Sequence, residues 1–188
     1  MAQLSLFDVS GKKALVTGAA AGLGRACAFA LAMGGADVAI VDLNEELGNA
    51  TVRALRDKGC NAFFVHANIA HAESVQAMMN TVVSRFGRLD IAVNNAGIYR
   101  AGLDAEHSIE DWHQVTSVNL TATWLCAMAE MQQMSRQKPM EGKIVNITSI
   151  AAHVAISNGS YDATKAGVVH MTRSLARQWG VTTSTSTA

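Results

Sequence analysis

Tyr161 and Lys165 stand four residues apart in the run YDATK, and on a helix that interval puts a phenol and an ammonium on one face. A free phenol titrates near about pH 10, too high for efficient proton exchange at neutrality, and a neighbouring ammonium favours the phenolate. Such a pair can hand a proton to an oxygen atom and take it back. Taken alone, the spacing is equally that of an ordinary exposed pair. Ser149 sets it apart: the apolar run IVNITS delivers that hydroxyl twelve residues ahead of Tyr161, where open α/β sheets bind their ligands beyond a strand's carboxyl end.

A second group has the types needed to hold a phosphate-bearing ligand. In TGAAAGLGRA, Gly18, Gly22 and Gly24 follow a short apolar run and open a segment of helical period. Glycine permits the tight turn and close backbone approach, while the first turn of a helix offers unpaired N–H groups and the positive end of a dipole. An acidic residue closing the next strand completes the context of a dinucleotide site, and Asp42 stands 18 positions beyond Gly24. Its carboxylate can accept both hydroxyls of an adenosine ribose and would repel a 2′-phosphate. Neither Ala21 nor Leu43 adds a basic group, so NAD(H) is favoured over NADP(H). Asp42 is also compatible with a plain cap on a helix starting near Asn44.

Positioning these groups requires alternating elements. Apolar runs at 12–18, 36–42, 61–68, 89–97 and 142–149 end in Gly, Asp, Asn or Ser and read as fully buried parallel strands. Amphipathic segments lie between and after them, at about 23–34, 44–58, 72–86, 108–136 and 159–179. In the second, Leu47, Ala50, Thr51, Ala54 and Leu55 recur at three and four. Strand and helix alternate without a hairpin signal, which predicts an α/β fold with a doubly wound, Rossmann-like parallel sheet and right-handed crossovers.

With 188 residues, 49% of them hydrophobic and 16% charged, the chain can bury a full core, and one domain over residues 1–180 is expected, followed by a tail at 181–188. Fifteen basic and fifteen acidic side chains cancel, so no global field draws nucleic acid or an anionic membrane. The N-terminus lacks the pattern of a signal peptide, and no run approaches the roughly 18 apolar residues that span a bilayer; the cytosol is the expected compartment. Cys27, Cys60 and Cys126 lack a CxxC spacing, which argues against a disulfide framework or zinc site. His66, His71, His107, His113, His153 and His170 are scattered, so no metal is expected. Trp112, Trp124 and Trp179 read as helix-packing anchors.

Taken as a set, TGxxxGxG (Thr17 to Gly24), NNAG (Asn94 to Gly97), Asn119 in SVNLTA, Ser149 and YxxxK resemble, in order and spacing, the short-chain dehydrogenase/reductase family in its single-domain branch, over about residues 8–180. The resemblance implies an oxidoreductase that interconverts a secondary alcohol and a ketone. Tyr161 would exchange a proton with the substrate oxygen, and Lys165 would tune it and hold the nicotinamide ribose. Ser149 would bond the substrate oxygen, and Asn119 would position a water in a proton relay. Gly18, Gly22, Leu23 and Gly24 would cradle the cofactor and Asp42 would hold its ribose. Asn68 and Ile69 would meet the adenine, and Asn94, Ala96 and Gly97 would line the cleft. Asn95 would brace the sheet. The family pairs two copies through the helices at 108–136 and 159–179, so a homo-oligomer is implied.

Two positions depart from the family pattern. Asn68 stands where an Asp is usual, and the interval from Ser149 to Tyr161 is twelve where thirteen is common. Family members also run some 60 to 80 residues further, so the last strands and the substrate lid are expected to be lacking, with activity weakened or lost. If the tail's serines use TCN codons, Thr182 to Thr187 read one base earlier alternates polar and apolar residues, and the family places a strand of the form I-x-V-N there. A frameshift from about Val181 is the expectation. Two alternatives stand beside the oxidoreductase. Sugar-nucleotide epimerases share YxxxK but usually carry GxxGxxG and a long C-terminal domain. A catalytically dead cofactor-binding or structural fragment would keep the fold alone.

Overall fold

The structure is a computed structural model that describes residues 7–183, with side chains to residue 180. Its strands are β1 (Lys13–Thr17), β2 (Asp37–Asp42), β3 (Ala62–His66), β4 (Ile91–Asn94) and β5 (Lys143–Asn146). Its helices are α1 (Gly22–Met33), α2 (Glu45–Arg56), α3 (Ala72–Phe86), α4 (Ile109–Thr116), α5 (Ala122–Arg136) and α6 (Gly159–Thr183). All four strand pairs are parallel, in the order β3-β2-β1-β4-β5. The five strands fall within the five apolar runs, and β1, β2 and β4 are largely buried, as continuous apolar sequence suggests. β5 corrects the reading of a fully buried strand, because it is the last strand in the order and leaves Lys143 and Val145 exposed.

Each strand divides its side chains between two layers. Leu15, Val41, Phe63, Val65 and Ala92 pack with Met78, Val82, Ala122 and Cys126 under α3 and α5. Val16, Val38, Ile40, Ala62 and Val93 pack with Ala28, Val52 and Leu55 under α1 and α2. β1 lies at the centre, with Ala14, Leu15 and Val16 fully buried. The chain winds outward from β1 through β2 to β3, then returns to place β4 on the other side of β1. This reversal opens a crevice beyond the carboxyl ends of β1 and β4.

Local chemistry sets the helix ends. Asn44 caps α2 by accepting from Leu47 N–H at 3.0 Å, and Gly87, at φ 76°, stops α3 in the left-handed region. The segment read from the sequence as 108–136 is helical without a break from Ile109 to Arg136, but it is not a regular α-helix throughout. Ser108 opens α4 with a reciprocal capping box to Asp111, and residues Ser117–Thr121 form a π turn before α5. A π turn inserts a residue into the helical ladder, and it rotates the side chain it contains away from the regular stripe. Residue 119 sits in that turn.

The tryptophan reading also needs correction. Trp112 and Trp124 are 44% and 45% exposed, because the α4–α5 stripe turned toward the sheet is filled by Val115, Ala122, Cys126 and Ala127. α6 runs to Thr183 instead of ending near residue 179. Residues 184–188, which carry most of the frameshift reading, lie outside the described residues. No helix among the described residues is long and apolar enough to cross a membrane.

Gly24 is the tightest point between α1 and the sheet. A Cβ there would lie 2.2 Å from Gly18 O and 2.4 Å from Asn95 Nδ2, and neither backbone nor clamped amide can move aside cheaply. Gly24→Ala is expected to cost about 3 kcal/mol and to lower the melting midpoint by roughly 10 °C. Gly59→Ala, at φ 81° but with open space around the new Cβ, should cost only about 1 kcal/mol. Equal melting points for the two variants would contradict the close approach.

Candidate active site

The ends of β1 and β4 are stitched together by side chains before either reaches the crevice. Thr17 Oγ1 accepts from Asn95 N at 3.1 Å and Ala96 N at 3.2 Å, and Asn95 Nδ2 donates to the carbonyls of Thr17 at 3.1 Å and Gly18 at 3.2 Å. Asn95 therefore performs the bracing implied for it. Gly18, at φ 64°, passes so close to this segment that a Cβ would sit 2.8 Å from Ala96 Cα. After the turn, Ala21 begins α1 with no side-chain cap and no acid in the first turn. The amides at Gly22, Leu23 and Gly24, and the positive dipole end, are left without a side-chain acceptor there.

Asp42 lies beside this turn at the end of β2. Its Oδ2 accepts from Ala20 N and its Oδ1 from Asn44 N, both at 3.0 Å. The cap on α2 is Asn44, so the alternative reading of Asp42 as that cap does not describe the structure. Each carboxylate oxygen keeps a further acceptor site. Asn68 Oδ1 accepts from Ala70 N at 3.1 Å and its backbone N–H donates to Ser74 Oγ at 3.0 Å, and the amide oxygen keeps a second acceptor site. Ile69 beside it is buried.

Asn94 corrects another expectation. Strand alternation sends Val93 to one layer and Asn94 to the other, so the Asn94 side chain points under the sheet instead of lining the cleft. There its Nδ2 donates to Glu130 Oε2 at 2.9 Å and to Asn146 Oδ1 at 3.0 Å. Ala96 and Gly97 carry the chain onward to the crevice. A Cβ on Gly97 would lie 3.2 Å from Asn119 Oδ1 and 3.5 Å from Lys165 Nζ, so these three positions meet at one point.

Asn119 is fully buried. From the π turn its amide grips one residue by both backbone groups, accepting from Ile98 N at 2.8 Å and donating to Ile98 O at 2.9 Å. Lys165 is 4% exposed, and its Nζ donates to Ile147 O at 3.0 Å. Burial lowers its pKa, by the cost of desolvating the ammonium. That ammonium lies 5.7 Å from the centre of the Tyr161 ring, on the same face of α6. Ser149 follows β5, where its Oγ accepts from Ala151 N at 3.1 Å and caps a short turn, leaving the hydroxyl hydrogen to donate.

Several contributors escaped sequence reading. Asn158 accepts from Tyr161 N at 3.1 Å and donates to Arg100 O at 2.6 Å, fixing the start of α6 against the loop after β4. It is three residues ahead of the tyrosine, a cap spacing that was legible. Tyr99 packs edge-on against Tyr161, with centroids 5.4 Å apart and planes at 88°. Thr148 Oγ1 donates to Lys165 O at 3.0 Å. Among the described residues no cluster of His, Cys, Asp or Glu could hold a metal ion. An apolar groove of about 330 Å³, lined by Met131, Met134, Ile144, Leu175 and Trp179, lies beside β5 and contains none of the crevice residues.

A parallel sheet with a glycine turn at its switch point, an acid closing β2 and a Tyr–Lys helix beside the crevice describe a dinucleotide-dependent oxidoreductase. The comparisons with known proteins give the same class. The family model for short chain dehydrogenase matches residues 12–184, and the chain belongs to that family of oxidoreductases, which bind nicotinamide cofactors and act on small molecules. It is 41% identical over 169 residues to a 3-oxoacyl-acyl-carrier-protein reductase of Staphylococcus aureus, covering 89% of this chain and 68% of that protein. It is 43% identical over 176 residues to D-threitol dehydrogenase of Mycolicibacterium smegmatis, covering 93% of this chain and 66% of the relative, just under two thirds of it. Among solved structures, a short-chain type dehydrogenase/reductase from Mycobacterium marinum superposes with a TM-score of 0.89 at 30% identity, over 96% of this chain and 74% of the other. A short chain dehydrogenase from Mycobacterium smegmatis superposes with a TM-score of 0.87 at 34% identity, over 90% and 72%.

Glu130, beneath Asn94, is fully buried, and burial pushes its pKa up to about 7 against the opposing hydrogen bond from Asn94. Unfolding returns the carboxyl to its ordinary value of 4.5. The folded value is the raised one, so the stability this group contributes is present in full below about pH 4.5 and is lost as the pH rises through about 7. Denaturation free energies are expected to fall by on the order of 3 kcal/mol from this group across that window. Glu130→Gln should flatten that part of the profile. Parallel profiles for the two proteins would contradict it.

Proposed function

We propose that this chain is an NAD-dependent oxidoreductase that interconverts a secondary alcohol and a ketone, with Tyr161 as the acid/base. The observation that carries the reading is the convergence of Gly97, Asn119 and Lys165 beside the Tyr161 ring. The residues fit a dinucleotide. The turn is closed to side chains at Gly18 and Gly24, α1 begins without a side-chain cap, and the anchored Asp42 carboxylate faces no basic neighbour at Leu43 or Ala21. NAD supplies hydride chemistry when bound. The chain's own residues bind, orient and move a proton.

In this reading the amides at Gly22 to Gly24 hold the pyrophosphate and Asp42 holds the adenosine ribose. Lys165 is positioned by Ile147 O and Thr148 and keeps two ammonium hydrogens for the nicotinamide ribose and the phenolate. Tyr161 gives its phenolic proton to a ketone oxygen or takes one from an alcohol. Ser149 donates its hydroxyl hydrogen to the same oxygen. The notch beside Gly97, within reach of Asn119 Oδ1 and Lys165 Nζ, suits one bridging water that renews the proton. Relatives named for 3-oxoacyl reduction and D-threitol dehydrogenation point to the same alcohol–ketone couple. The exposed Ile109, Trp112 and Trp124 on α4 and α5 favour pairing with a second copy there. Free thiols at Cys27, Cys60 and Cys126 favour the reducing cytosol.

NADH fluorescence on titrating the purified protein tests binding, and turnover with polyols, sugars and hydroxy-steroids tests the chemistry. Tyr161→Phe is expected to keep NADH binding and lose about a thousandfold in turnover. Asp42→Ala should weaken NADH about tenfold or more while leaving NADPH unharmed. Absence of NADH binding would remove the enzyme reading. Binding without turnover on any such substrate would favour a cofactor-binding protein.

A further inference from the structure

Asn94 and Glu130 each carry one buried polar atom without a hydrogen-bond partner, Oδ1 on the amide and Oε1 on the carboxyl. The two residues are already joined through their other atoms, Nδ2 to Oε2 at 2.9 Å. Asn94 spends its second amide hydrogen on Asn146 Oδ1 at 3.0 Å, and an ionised carboxyl has no hydrogen to give. The pair as an ion would thus leave two bare acceptors in a buried site, one of them charged, which proteins rarely sustain. One proton removes both deficits, because a carboxylic acid and a primary amide match donor to acceptor twice over.

We propose that Glu130 holds a proton in the folded protein at pH 6 and donates it from Oε1 to Asn94 Oδ1. The resulting two-bond acid–amide pair makes Glu130 a positioning residue for the segment from Asn94 to Gly97. Burial, which favours the neutral acid, acts in the same direction. Among the described residues, the other ionisable group that senses Glu130 is the Cys126 thiol on the same helix, pushed up by burial and by that carboxyl. β4 and β5 present the neutral amides of Asn94 and Asn146, and no charge from α3 or α6 enters the balance at Glu130.

The pair sits where it can set the strand's exit. Asn95, which clamps the glycine turn, and Gly97, which meets Asn119 and Lys165, follow directly in the chain. On the other side Asn146 Nδ2 donates to Thr172 Oγ1 at 2.9 Å, and Thr172 in turn donates to Val168 O at 2.7 Å. One directed run of hydrogen bonds therefore ties α5 to β4, β5 and α6, the helix that carries Tyr161 and Lys165. The effect on cofactor binding rests on the function proposed above; the pair itself does not.

The test compares the purified wild-type protein with Glu130→Gln and Glu130→Leu. Glutamine keeps both bonds, since its Nε2 donates to Asn94 Oδ1 and its Oε1 accepts from Asn94 Nδ2. An infrared difference spectrum between wild type and Glu130→Gln at pH 6 is expected to show the C=O stretch of a protonated carboxyl, lost as the pH is raised to 9. Absence of that band at pH 6 overturns the pair. NADH affinity by fluorescence should weaken at least threefold in wild type from pH 6 to pH 8.5, stay level in Glu130→Gln and be weak throughout in Glu130→Leu. An equal pH response in wild type and Glu130→Gln overturns the positioning role, and this comparison stands even where Glu130→Leu fails to fold. If wild type binds no NADH at any pH, the functional reading and the positioning role fall together, and the infrared band still decides the pair.

Discussion

The close approach of β1 and β4 at their carboxyl ends is the constraint on which the rest of the molecule depends. Two neighbouring parallel strands must release their chains in different directions there, one into a helix and one across the crevice. Thr17 and Asn95 hold the exits together with four hydrogen bonds between side chain and backbone. The arrangement tolerates no Cβ at Gly18 or Gly24, where a side chain would meet Ala96, Asn95 or the Gly18 carbonyl. Backbone amides at the start of α1 are consequently brought beside the segment that leads to Asn119 and Lys165. On the function proposed above, binding of a dinucleotide and proton transfer at its far end would then be properties of one joint.

A second theme is the cost of burying polar groups beside this joint and the way each is met. Asn119 spends its amide on both backbone groups of Ile98, and Lys165 spends one hydrogen on Ile147 O. Asn158 ties Tyr161 N to Arg100 O. These bonds hold the side chains of the proposed site by rigid elements, which would lower the reorganisation needed when a substrate arrives. Glu130 Oε1 and Asn94 Oδ1, like Thr116 Oγ1 and Asp162 Oδ1, are buried without a hydrogen-bond partner, and the proton proposed for Glu130 would satisfy the first two together.

Much of this was legible in the chain, for identifiable reasons. Continuous apolar runs ending in Gly, Asp, Asn or Ser mark parallel strands, so the five strands and their arrangement were accessible, whereas the exposure of Lys143 and Val145 on β5 was not, because it depends on that strand's place at the end of the order. The places of Gly18 and Gly24 in the turn were legible because turn geometry constrains residue type at fixed spacing, and that of Asp42 because it closes the second apolar run. The π turn at Ser117–Thr121 was not, because SVNLT has no Gly or Pro to mark it and the widening answers a tertiary demand, the grip of Asn119 on Ile98. The inward turn of Asn94 depends on which layer the strand register assigns it. The exposure of Trp112 and Trp124 reversed an expectation that large aromatics anchor helices, because small residues fill the sheet-facing stripe instead. Glu130 drew no notice because its burial depends on Asn94 and Asn146 meeting across β4 and β5.

The central claim is that this joint holds a nicotinamide dinucleotide with its reactive end beside Tyr161 and Lys165. A crystal structure of the protein grown with NADH tests it most directly. The expected result is density for the pyrophosphate at the amides of Gly22 to Gly24, the adenosine ribose on Asp42 and the nicotinamide ribose on Lys165. Density only in the apolar groove beside Trp179, or a nucleotide lying away from Asp42 and Lys165, would contradict it.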